Sequence, residues 1–367
     1  MGKKRDMNFE LLRIVAMILI ICAHYMGHGG VYGHVGKFNS NYYITELIRA
    51  FTSISVNVYV MITGYYMVTS NMKIKKLINI CLVVWFYSVL SLLIPITLKE
   101  NINYKEIIPI MFMPISSGLY WFPTIYIALY ALSPFINKLV QNLTKKQYIT
   151  LIAILTVFII GQRLLFSANE FIIPRVHGES GKSLIWFVYL YIIAGYIRLH
   201  YKGKVNKAIC LGTTLIIPFI IVAIRTISLK NTGNEMNKLL ESAFILNFIS
   251  TITIFLFFKE VKIKNETCNK IIGKISPLMF GVYIIHENHF VLRNIYSKVL
   301  YVQEYYTNIY LPLHMTISVV WIFITCSLIE KVRMEAFAII GETKVFKKIG
   351  AKLDQINEKF NNMMNEA

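Results

Sequence analysis

The chain has 367 residues, of which 56% are hydrophobic and only 16% charged, and its mean hydropathy is +0.56. A soluble domain carries about 25% charged residues, so this composition excludes an ordinary soluble enzyme and belongs to an integral membrane protein. The net charge of +19 sits in short segments between apolar runs, where cytoplasmic retention of lysine and arginine accounts for it, and no nucleic-acid partner is expected.

The N-terminal MGKKRDMNFE is charged, and the apolar run after it ends in histidine and glycine rather than at a small-residue cleavage site. It reads as an uncleaved first span. A membrane helix needs about 20 mostly apolar residues. Runs of that kind fall near residues 10–29, 47–69, 77–98, 120–140, 147–166, 183–200, 208–228, 240–259, 275–295 and 309–330. The expected fold class is therefore all-α, a polytopic membrane protein with ten spans. The run at 47–69 is rich in Ser, Thr and Asn, and that at 275–295 holds Ser276, His286, Glu287 and His289. Polar spans of this kind face the interior of a helix bundle rather than lipid.

Alternate loops differ in charge. Lys3, Lys4 and Arg5, then Lys73, Lys75 and Lys76, Lys145 and Lys146, Lys202, Lys204 and Lys207, and Lys262, Lys264, Lys270 and Lys274 fall on one side, and the intervening loops are poorer. Both termini are expected in the cytoplasm. Residues 1–330 form the transmembrane domain, and 331–367 form a short tail suited to an amphipathic helix on the anionic inner leaflet. The five cysteines (Cys22, Cys81, Cys210, Cys268, Cys326) contain no CxxC spacing, which argues against a disulfide framework or a zinc ribbon.

The first span carries the sharpest signal. Arg13 and His24 stand eleven residues apart, about three turns plus 20°, so both point to one face about 16 Å apart along the axis. An anion anchor thus lies below a titratable base, a geometry suited to a long anionic ligand reaching into the membrane. Plainer readings stand beside this one. Arg13 can pair with Glu10 one turn earlier or snorkel to the headgroups, and His24 can be a hydrogen-bonded structural residue. His28, at i+4 from His24, opens a metal alternative that His286 and His289 would complete. No carboxylate or thiolate stands in a recognisable zinc spacing, so no metal is expected.

The Arg-x10-His spacing resembles the signature of acyltransferase family 3. Further segments are similar in the same order: NVYVMITGYYM (57–67), MKIKKLINI (72–80), GLYWFPTIYIALY (118–130), YIIAGYIR (191–198) and SPLMFGVYIIH (276–286). The resemblance covers residues 8–330. The chain departs from the family pattern in carrying lysines where arginines are preferred in the basic loop, and Thr63-Gly64 in place of Ser-Gly. Lysine holds phosphate as a point charge rather than as a bidentate fork.

The resemblance implies a membrane-embedded O-acyltransferase of the bacterial cell membrane. Its donor would be cytoplasmic acetyl-CoA, a co-substrate rather than a tightly bound cofactor. Its acceptor would be a hydroxyl of a surface polysaccharide or lipid-linked precursor. Arg13 with Lys73, Lys75 and Lys76 would meet the coenzyme A head. His24 would act as general base or as a covalent acyl carrier, His286 in the late motif is a second candidate catalytic residue, and Glu287 could orient one of the histidines. Tyr120, Trp121 and Ser276 are candidate donors to the oxyanion. Family members often carry an extracytoplasmic hydrolase-like domain, so a separate extracytoplasmic transferase is a possible partner, together with membrane lipids. The outer loops 30–46 and 167–182, with Tyr42, Tyr43, Arg175 and His177, offer residue types that bind sugars. The rival reading is a transporter or flippase of a lipid-linked glycan, which basic inner loops and buried titratable groups also suit.

Overall fold

A computed structural model describes residues 5–100, 103–115, 120–161 and 179–365 of the chain. Among these residues every regular element is helical. The principal helices are α1 (Met7–His28), α2 (Ser40–Thr52), α3 (Ser55–Met67), α4 (Ile74–Leu90), α5 (Trp121–Gln141), α6 (Lys145–Thr156), α7 (Leu184–Leu199), α8 (Lys207–Thr232), α9 (Ile245–Glu260), α10 (Glu266–Ile275), α11 (Met279–His286), α12 (Leu311–Gly341) and α13 (Lys344–Asn365). Asn39, Thr144, Ser183, Asn206 and Asn265 open five of them by accepting otherwise unpaired backbone N–H groups of the first turn.

Against ten expected spans, seven helices among the described residues are long and apolar enough to cross a membrane. They are Met7–His28, Ser40–Met67, Ile74–Thr97, Lys207–Thr232, Asn237–Glu260, Glu266–His286 and Leu311–Gly341. The other three expected runs are helical but fall short in different ways. Leu184–Leu199 is apolar but has only 16 residues. Trp121–Gln141 has the length but is interrupted by Pro134 and polar positions. The run at 147–166 is helical as far as Gly161 and then leaves the described residues.

α1 is the hub of the bundle, packing against α2, α3, α9, α10, α11 and α12. Its buried residues Phe9, Leu12, Ala16, Met17, Ile20, Ile21 and Tyr25 are spread around it, so it is a core helix rather than a lipid-facing one. Two devices fix the helices around it. Asn57, fully buried on α3, donates to the Ser242 carbonyl (2.8 Å) and Thr251 Oγ1 (3.2 Å) and accepts from Trp186 Nε1 (2.9 Å), tying α3 to α7 and α9. Without water in the bilayer core, such groups must find partners inside the protein.

The second device is an approach too close for any side chain. A Cβ on Gly64 would lie 2.7 Å from Tyr191 Cα and 2.8 Å from its carbonyl oxygen, so α3 and α7 meet backbone to backbone. Small residues at such crossings let dispersion contacts accumulate where the lipid offers no hydrophobic drive. Gly281 does the same service beside Glu330, whose carboxyl group would collide with an added Cβ.

The tail is not loose. Asn357 Oδ1 accepts the Ile74 N–H (2.9 Å), and Lys75 Nζ pairs with Asp354 (2.5 Å), so α13 docks on the start of α4.

Gly64→Ala is expected to force α3 and α7 apart at a cost of about 1–3 kcal/mol. The check is a lowered unfolding midpoint for the detergent-purified protein, with Gly33→Ala, where nothing lies within 4 Å of the added carbon, as the control.

Candidate active site

Among the described residues, two neighbouring cavities in the bundle share two lining residues, Ile20 of α1 and Tyr283 of α11. One, of about 320 Å³, lies toward the end of the bundle that carries the start of α1 and the end of α12, and we call it the basal cavity. The other, of about 410 Å³, lies toward the opposite end and is the distal cavity. Arg13 lines the first and His24 the second. The single groove suggested by their common helix face is therefore divided by the side chains between them.

Three cations line the basal cavity: Arg13, Lys76 and Arg333. Each is held in place. Arg13 Nη1 lies 3.0 and 3.2 Å from the two oxygens of Glu10, and Glu10 also accepts from Ser276 Oγ. Arg333 forms a two-pronged pair with Glu330, Nε and Nη2 each 2.7 Å from a carboxylate oxygen, and Tyr87 Oη donates to the same carboxylate at 2.7 Å. Lys76 Nζ sits 5.1 Å over the Tyr130 ring. Such pairing lowers the cost of burying charge while keeping guanidinium groups available to a stronger anion.

The expected lysines separate here. Lys76 faces the cavity, Lys75 is engaged by Asp354 of the tail, and Lys73 contributes its backbone N–H to Tyr130 Oη (3.1 Å). Glu330 and Arg333 were not singled out from sequence. Their trace is a carboxylate and a guanidinium three apart, one helical turn, at the end of the last apolar run.

In the distal half, α11 ends at His286, and its C-cap Glu287 turns back toward α1. The fully buried His286 has Nδ1 2.6 Å from the Val282 carbonyl, which accepts only, so that nitrogen carries the proton. Its Nε2 is then a lone pair, 3.0 Å from His24 Nδ1. His24 must donate from Nδ1, which leaves His24 Nε2 as the basic nitrogen. Glu287 Oε2 lies 2.8 Å from the same Nδ1 and 3.4 Å from His28 Nε2. It is a charge partner for a protonated His24, while the aligned acceptor is His286. The result is a relay of fixed tautomers that aims one imidazole and provides a carboxylate for its cationic form, the logic by which a buried acid serves a catalytic histidine.

His24, His28 and Glu287 also form the group that a metal ion would find: their ligand atoms lie within 4.8 Å of one another. Sequence spacing offered no carboxylate for such a site, whereas the fold brings one from 263 residues away. Ligation through His24 Nδ1 would require that nitrogen to give up the proton that faces His286.

The remaining expected residues divide between the cavities. Trp121 joins His24 in the distal cavity, with Arg49, Lys182, Ser53 and Ser242 around them. Ser276 lines the basal cavity. Tyr120 lines neither; its hydroxyl accepts from Asn288 Nδ2 at 2.6 Å. His289 is exposed at the start of a short helix, His289–Asn294, away from the histidine pair. Tyr42 is buried, Tyr43 is exposed, and Arg175 and His177 lie outside the described residues.

A family model described as an acyltransferase domain matches residues 7–331. No curated protein and no solved structure matches the chain. The matched stretch runs from Met7, the first residue of α1, to Lys331 on α12 and contains Arg13, His24, His286 and Glu287, while Arg333 lies two residues beyond it. Arg13 and most of the basal cavity, a base-competent imidazole and the membrane-crossing helices thus sit within one family domain, and the chain belongs to acyltransferase family 3, the membrane-bound acyltransferases.

Proposed function

We propose that this acyltransferase moves an acetyl group from acetyl-CoA onto a hydroxyl of a cell-surface polysaccharide or its lipid-linked precursor, as a multi-pass protein of a bacterial plasma membrane. The observation that carries the reading is the pair of cavities that meet at one wall, with caged cations on one side and the His24 imidazole on the other. The lysine-rich loops put the basal end in the cytoplasm, where acyl-CoA is made.

In this reading the phosphates of coenzyme A exchange for Glu10 and Glu330 around Arg13 and Arg333, with Lys76 adding a point charge. The thin pantetheine arm lies along the apolar part of the basal cavity, past Met17 and Met279, and brings the thioester to the wall at Ile20 and Tyr283. The acceptor enters the distal cavity beside Trp121 and presents its hydroxyl to His24. His24 Nε2 takes the hydroxyl proton as the oxygen attacks, and Glu287 stabilises the imidazolium that forms. His286 touches neither cavity and acts through His24, holding its ring and tautomer. Direct transfer needs no acyl-enzyme, and the position of His24 on the acceptor side favours the base over the carrier.

The test uses membranes carrying native and variant protein at matched levels, acetyl-labelled coenzyme A, and surface glycan from cells lacking this protein. Native membranes are expected to label the glycan. His24→Ala should lower the rate by about 10²–10⁴, the share of a general base. Glu287→Gln should lower kcat by about tenfold or more with little change in the donor KM. Arg13→Ala and Arg333→Ala should instead raise the donor KM and recover at high donor concentration. A chelator should leave the rate unchanged; a loss restored by zinc would hand the His24–His28–Glu287 cluster to a metal. If native membranes label nothing above an empty control, transport of a lipid-linked glycan becomes the leading account.

A further inference from the structure

The wall between the cavities contains a polar group with nothing to do. Ile20 and Tyr283 are the two residues that line both spaces. Ile20 has no polar side-chain atom. Tyr283 is 3% exposed, and its hydroxyl is buried with no hydrogen-bond partner among the described residues. Its ring is fixed by edge contacts to Phe122 (5.3 Å between centroids) and His286 (5.9 Å) and lies 6.3 Å from the His24 ring. A buried hydroxyl is nearly always paired, so an unpaired one in a well-packed ring asks for a partner that arrives later. The Tyr42 and Tyr296 hydroxyls are also buried and unpaired, yet neither residue lines either cavity.

We propose that Tyr283 is a catalytic residue whose hydroxyl donates to the carbonyl oxygen of the acyl group as transfer takes place at the wall. This rests on the acyl-transfer reading above and adds the group that stabilises the oxyanion. The donor arrives from the basal side and the acceptor hydroxyl from the distal side, so the reacting carbonyl must lie where both spaces are within reach. The neutral donors singled out from the sequence are placed elsewhere or committed. Ser276 is bound to Glu10 on the basal side, Tyr120 is bonded to Asn288 outside both cavities, and Trp121 faces the distal space alone.

The step balances without another reactant. The acceptor oxygen bonds to the thioester carbon as His24 Nε2 takes its proton. The carbonyl electron pair moves onto oxygen, where the Tyr283 O–H holds it by a hydrogen bond without losing its proton. The pair then returns, the C–S bond breaks, and the proton on His24 passes to the departing thiolate. The products are the ester and coenzyme A thiol. A donor aimed at the developing charge in a water-poor site accelerates such a step by about 10²–10³.

Tyr283→Phe keeps the ring and its contacts while deleting the hydroxyl. The experiment compares full-length native protein and this variant in membranes, with labelled acetyl-CoA and surface glycan from cells lacking the protein. It also measures unfolding midpoints and the retention of coenzyme A by each. The expected result is a kcat lower by about 10²–10³, with unchanged donor KM, coenzyme A retention and midpoint. A kcat within about threefold of native overturns the proposal, as does a fall in kcat matched by lost donor binding, because an oxyanion donor acts on the transition state alone. Should the variant fold poorly, 3-fluorotyrosine at 283 keeps the shape and strengthens the donor; a changed kcat at constant KM then supports the assignment, and an unchanged kcat overturns it. Absence of transfer by native protein would overturn the acyl-transfer reading itself and this inference with it, a result distinguishable from an inactive variant beside an active native control.

Discussion

Charge in this bundle is buried in pairs, and that constraint organises the rest. Arg13 is held by Glu10, Arg333 by Glu330, and the fully buried Arg225 by Glu46 and Glu235. A lone charge near the middle of a membrane costs about 2.5–3.5 kcal/mol even on insertion scales. Removing one partner of a buried pair costs about 3–5 kcal/mol, because the other is left behind. The carboxylates therefore cannot drift, and neither can the helices that bear them. Glu10 joins α1 to the α10–α11 junction through Ser276. Glu330 joins α12 to α4 through Tyr87 and passes α11 over Gly281.

The same pairs give the basal cavity its chemistry. A guanidinium that already holds a carboxylate has its shape and orientation set, so an anion entering the cavity exchanges one partner for another rather than ordering a free side chain. The distal half follows a different rule. There the pairing is conditional, because Glu287 has a full charge partner only when His24 is protonated. A site that stabilises a charge only while it exists is what a proton-transfer step requires. The fixed tautomer of His286 keeps the neutral ring aimed in the meantime.

Much of this architecture could be read from the sequence because bilayer thickness imposes a length and an apolarity on each helix. The first span and the spacing of Arg13 and His24 were open to the same reading, since helical geometry turns eleven residues into one face. Other features had no local trace. Glu287 meets His24 only through the fold, and no spacing rule connects them. Arg333 was hidden because a cation at a helix end is expected from topology alone, so a ligand contact leaves no extra mark. Lys73, Lys75 and Lys76 show the converse: three neighbours in a basic loop look alike in sequence, but one faces the cavity, one is taken by the tail and one serves through its backbone. Tyr283 was hidden by number, being one of 23 tyrosines in a chain where the ring usually serves packing or interfacial anchoring.

The division of the groove between Arg13 and His24 matters more than its length. A continuous channel wide enough for coenzyme A would also pass water, which hydrolyses thioesters, and ions, which discharge a membrane. In the proposed reading, Ile20 and Tyr283 keep the bulky, charged head of the donor on the basal side, and only the reacting carbonyl reaches the narrow place where the two spaces meet. Only two or three atoms of the acyl group would then need to reach that place, so no phosphate would have to cross the apolar layer. The caged cations then have a second consequence. In the same reading they would hold the donor head at a fixed depth, and the length of the arm rather than a moving helix would deliver the thioester to the wall. An anchor on one face of α1 and a base on the same face about 16 Å further along the axis would measure that arm, which gives both features a reason to stand on a single helix at the centre of the bundle.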